Sequence, residues 1–183
     1  MLYLMAIVGR ARMEDTMELH MHSHHYVRRR PDWSAAAVSG LAAGALVVVV
    51  EMFWATMVAG VHPWATTRMI AAIVMGRDVL QTSMFSVSTV AMALIIHFVL
   101  GTILGVVLGA IMAPFQLDSS PGMSLLVGAV FGLVIYVFNF YVMTSAFPWF
   151  VDARGWHTLA GHLIFGMAIA LCYWKLESRD VIH

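Results

Sequence analysis

The chain has 183 residues, of which 61% are hydrophobic and 11% charged, and its formal net charge is zero. Soluble domains carry ~45–50% apolar and ~25% charged residues, so this is the composition of a membrane protein with one bundle and a tail. The balanced charge gives no basis for a nucleic-acid partner, and a single cysteine, Cys172, excludes an intrachain disulfide and any cysteine-built metal or iron–sulfur centre.

Residues 1–33 read as a His- and Arg-rich cytoplasmic tail. The apolar run Leu2–Val8 is followed by Arg10 and Arg12 rather than preceded by them, and it lacks a small-residue cleavage site, unlike a signal peptide. Met13, Met17 and Met21 leave the start of translation open to a position further in. No apolar period supports a packed core there, so the tail is expected to be mobile unless a partner holds it. His20, His22, His24 and His25 are imidazoles of the kind that ligate transition metals, and the same run also fits a low-complexity tail with no metal.

Four apolar stretches follow, at 34–60, 86–113, 122–147 and 157–174. About 20 apolar helical residues cross a hydrocarbon core ~30 Å thick, so each stretch is expected to span a bilayer. The fold class is therefore an all-α membrane protein: a four-helix transmembrane domain over 34–176, with a cytoplasmic C-terminal tail at 177–183. Between the first two spans, Trp64 to Leu80 mixes Met69, Ile70, Ile73 and Val74 with Arg68, Arg77 and Asp78. It is too charged to cross, and reads as a short helix lying in the interface.

Arg28, Arg29 and Arg30 precede the first span, and Lys175 and Arg179 follow the last; the opposite side carries Arg68, Arg77 and Arg154. The positive-inside bias places both termini in the cytoplasm. Trp33 and Trp174 then fall at the inner interface, and Trp64, Trp149 and Trp156 at the outer one, as aromatic belts require; Trp54 lies inside span one.

Small residues recur every four positions: Ala36, Gly40 and Gly44; Gly101, Gly105 and Gly109; Gly128 and Gly132. This spacing makes a flat stripe on which another helix backbone packs closely, inside the bundle or against a partner. Phe131, Ile135 and Phe138 are expected to face lipid. The 15 methionines read as flexible gap filler.

Each span also carries a polar group: Glu51, His97, Asn139 (flanked by Tyr136 and Tyr141) and His162. Ionisable groups at membrane depth are costly and face the interior, so the four are expected to meet there. A carboxylate paired with His97 or His162 suits a proton or cation site; the plainer reading is an interhelical polar clasp. His97 and His162 on facing helices are also the residues that axial ligation of haem b would use. No phosphate loop, nucleophile elbow, HExxH helix or dinucleotide fingerprint is present, so catalysis is not expected.

Several segments carry a resemblance: Met69 to Leu80, His97 to Leu100, Phe131 to Tyr141, Phe147 to Phe150, Ala153 to Trp156 and His162 to Gly166. Over about residues 34–176 they resemble a group of small four-span bacterial inner-membrane proteins of unassigned function, some labelled sodium:proline symporter. Sodium–solute symporters are far larger and build a midplane site from inverted repeats with broken helices. What the resemblance implies is therefore the architecture and a bacterial source. The expectation from size, glycine stripes and tail is an accessory subunit bound to other membrane proteins in the inner membrane. The alternatives are a small permease or proton/cation-handling protein and a haem-binding bundle.

Overall fold

The structure, a computed structural model, describes residues 29–59, 62 and 64–180. Four helices are long and apolar enough to cross a membrane, and no strand occurs among the described residues. Helix α1 is Trp33–Phe53 and continues as a π-helical turn, Trp54–Val58. Helix α2, Trp64–Met75, lies between the first two spans and is too short to cross. Helix α3 is Val87–Phe115, α4 is Pro121–Val137 with a π-helical turn at Phe138–Val142, and α5 is Trp156–Asp180. The chain is thus a multi-pass helical membrane protein.

Local sequence sets the helix ends. Asp32 caps α1 by accepting from the Ala35 N–H at 2.9 Å and the Ser34 hydroxyl at 2.7 Å. Ser86 caps α3, and Ser120 with Pro121 behind it starts α4. Helix α3 stops where Gln116 turns left-handed at φ 53°, and the Leu117 N–H closes the end on the Met112 carbonyl at 3.0 Å. Gly76, at φ 88° and ψ 172°, ends α2 in a conformation closed to side chains bearing a Cβ.

Two ends follow from the topology: a terminal end, where α1 begins and α5 finishes, and an α2 end. The spans pack in the order α3–α1–α5–α4, with α2 laid on α3. Helices α3 and α4 are joined by a short turn yet share no substantial packed face. The glycine stripes set this order. A Cβ at Gly40 would overlap the Gly101 carbonyl, and one at Gly105 would overlap the Ala36 carbonyl, so α1 and α3 meet backbone to backbone. Gly128 meets Gly166, and Gly132 meets the His162 carbonyl, which seats α4 on α5 in the same way. Gly44 and Gly109 likewise face His97 and Tyr173 inside the bundle. Each of these glycines is used within the chain.

The densest core lies toward the terminal end, around Leu108, Met112, Ile169 and Tyr173, all fully buried. Three expectations need correction. Ile135 is buried and Phe131 packs on the core, and only Phe138 points outward. The reason is register: Ile135 continues the Gly128–Gly132 stripe that faces α5. Helix α5 also runs past 177, so Glu177 belongs to the bundle and not to a tail, because a helix continues beyond its apolar stretch wherever its polar side chains find partners. Arg29 to Asp32, assigned above to the tail, is held against the bundle: the Asp32 N–H donates to the Tyr173 hydroxyl at 3.2 Å.

Candidate functional site

The four intramembrane polar residues form three contacts, not one cluster. His97, on α3, donates from Nε2 to the Gly44 carbonyl of α1 at 3.0 Å; a carbonyl only accepts, so this nitrogen carries the proton. His162, on α5, donates from Nδ1 to the Thr158 carbonyl at 2.8 Å and accepts at Nε2 from the Asn139 amide at 3.2 Å. That arrangement is the neutral tautomer with both ring nitrogens satisfied. Tyr136 and Phe140 pack edge-on against the same ring, with centroids at 5.9 and 5.4 Å.

Asn139 reaches His162 from the π-helical turn that ends α4. A π turn leaves a carbonyl without its usual partner. Here Arg154 donates from Nε to the Phe140 carbonyl at 2.7 Å, and its guanidinium lies 4.3 Å from the Tyr141 ring centroid. The next loop ties to α2: the Trp149 indole donates to the Met69 carbonyl at 3.0 Å, and Arg77 sits 5.4 Å over its ring.

Glu51 joins neither histidine expected of it. Its carboxylate lies over Gly161 of α5, where an added methyl would fall 2.6 Å from Oε1. Among the described residues no hydrogen-bond donor reaches it. Trp54, one helical turn beyond Glu51, stands edge-on to Trp156 at 5.0 Å and parallel to His157, at 3° and 6.5 Å between centroids. The signal for this corner was present in the sequence: Trp54 fell out of belt register, and it lies three residues, one turn, from Glu51, the only carboxylate within the four apolar stretches.

The terminal end holds a second polar group that sequence reasoning missed. Arg29 bonds Glu177 at 2.8 Å and Asp118 at 3.2 Å. The side chains of Asp118 and Glu177 are only 3% and 9% exposed, and Asp118 Oδ1 and Glu177 Oε2 are buried without a hydrogen-bond partner. The sequence signal was charge complementarity: Asp118 is the only charged residue in the 114–121 turn, on the same side as the arginine triplet.

Haem ligation by His97 and His162 would first break both Nε2 hydrogen bonds. Among the described residues no three of His, Cys, Asp and Glu gather as a metal site. His20, His22, His24 and His25 lie outside the described residues. No protein-family model, curated protein or solved structure matches the chain.

Proposed function

We propose that the chain is a non-enzymatic subunit of a larger assembly, in a bacterial inner membrane with both termini cytoplasmic. The observation that carries this reading is the outer flank of α3. Ile95, Val99, Ile103, Val107 and Ile111 form an exposed ridge, each four residues on from the last. Ridges on this row seat into the grooves of a neighbouring helix. Every residue of the ridge is β-branched, so it loses little rotamer freedom on docking. The clasps made by His97 and by Asn139 with His162 support a structural use of the intramembrane polar groups, and the arginines around Arg29 support the orientation.

The test is a photo-crosslinking residue at Val99 or Ile103, activated in native membranes. A discrete protein adduct that co-purifies in mild detergent is expected. Lipid adducts alone, with a lone stable monomer, would overturn the proposal.

A second reading, a permease or proton/cation-handling protein, is favoured by Glu51, whose carboxylate has no hydrogen-bond donor among the described residues. Glu51→Gln in reconstituted vesicles decides it: lost flux with an intact bundle supports the reading, and full flux removes it.

A further inference from the structure

At the α2 end of the seam between α1 and α5, three aromatic rings gather in contact with one another above one carboxylate. Trp54 and His157 are parallel, at 3° between planes. Trp156 stands perpendicular to both, at 89° to Trp54 and 90° to His157. The carboxylate is that of Glu51, one turn below Trp54 on α1, held over Gly161, one turn below His157 on α5. Trp156 and His157 are exposed, so the corner is reached from outside the bundle.

We infer that this corner binds an ammonium group, primary or quaternary, carried by a phospholipid headgroup or by a small free amine. The chemistry of the rings and the carboxylate makes that choice. Indole faces carry a negative quadrupole and attract cations within ~6 Å of the ring centroid. Trp156, 68% exposed, offers such a face at the mouth of the group. A carboxylate without a hydrogen-bond donor, in a setting poorer in water than the surface, calls for a positive partner. An ammonium satisfies both demands, whereas an anion would meet Glu51 and a neutral apolar group would leave the carboxylate bare. Helix polarity does not oppose a cation: the C-terminal end of α1 and the N-terminal end of α5 lie side by side, so their dipoles offset one another.

The corner shares Glu51 with the proton-handling reading but requires no flux, so binding is measured at equilibrium without a gradient. The full chain is placed in phosphatidylglycerol nanodiscs and titrated with tetramethylammonium chloride, then with ethanolamine, against sodium chloride at equal ionic strength. Isothermal titration calorimetry is the readout, so that removing a tryptophan does not itself remove the signal. A saturable change is expected, abolished in Trp156→Ala, about tenfold weaker in Glu51→Gln and retained in His157→Phe. In parallel, discs with equal phosphatidylethanolamine and phosphatidylglycerol are dissolved, and native mass spectrometry reads the lipid retained.

A response to the free amines assigns a soluble ligand. Selective retention of phosphatidylethanolamine by the wild type but not by Glu51→Gln, without that response, assigns the headgroup. Neither signal, or equal signals in wild type and Trp156→Ala, overturns the inference. Trp156 is 68% exposed, so its removal tests the corner even where Glu51→Gln disturbs folding.

Discussion

Arg29 and Glu177 stand 148 positions apart in the chain, and their side chains meet at 2.8 Å. The contact ties the approach to the first span to the end of the last, with Asp118 from the α3–α4 turn as the third member. One guanidinium therefore faces two buried carboxyl groups.

Removing that guanidinium leaves both acids buried without a cation. Breaking a buried pair costs ~3–5 kcal/mol, but Arg29 is itself 39% exposed, so about 2–3 kcal/mol is expected for Arg29→Ala. Unfolding in mixed micelles measures it. Adding Asp118→Asn and Glu177→Gln to that variant should restore part of the loss. An unchanged midpoint in Arg29→Ala would show that the three groups contribute nothing to holding the ends together.

The backbone seams make a sharper contrast. Gly40→Leu forces α1 away from the Gly101 carbonyl, and Gly132→Leu forces α4 away from the His162 carbonyl; each is expected to cost about 2–3 kcal/mol. Gly122→Ala, on α4 with nothing within 4 Å of the new methyl, should be neutral or stabilising by up to ~1 kcal/mol. Equal effects at all three positions would contradict the packing order.

Asn139 and His162 form the one side chain to side chain hydrogen bond between spans among the four polar residues first singled out. A double-mutant cycle with Asn139→Leu and His162→Phe should give a coupling of ~0.6–2 kcal/mol. Zero coupling would mean that the two side chains act independently.

Trp149 pins the loop before α5 to the Met69 carbonyl of α2. Trp149→Phe keeps the ring and deletes the donor. Opening of α2 should become easier by about 1 kcal/mol, read as roughly fivefold faster amide exchange across Trp64–Met75. Exchange as slow as in the wild type would assign the anchoring to the ring alone.

Much of the architecture could be read from residues, because the bilayer demands a run of apolar residues that few other constraints produce. The four spans and the short α2 were expected within a few positions of where they lie. The glycine stripes also identified which faces pack closely. They did not identify partners, since Gly40 carries no mark that selects Gly101 over Gly166. Pairing is decided by all four helices at once.

The polar residues were harder to assign for a related reason. Depth along a span follows from counting, and Glu51, His97, Asn139 and His162 each lie well inside an apolar stretch. The direction around each helix axis does not follow from counting, and it separates them into different seams. The π turns at Trp54 and Phe138 add a residue to the helix without altering composition, so hydropathy passes over them. Asp118 and Glu177 escaped notice because loops and helix ends are where charges are ordinary; only Arg29, brought from a distant segment, makes them unusual.

The order α3–α1–α5–α4 bears on how the molecule is made. During synthesis α1 and α3 emerge early and can join at Gly40 and Gly101 at once. Helix α4 has no such opportunity, since its broad packing surface is reserved for α5, which leaves the ribosome after it. Until then α4 must wait in lipid with Gly128 and Gly132 bare, and a chain halted before Trp156 would leave α4 without a mate.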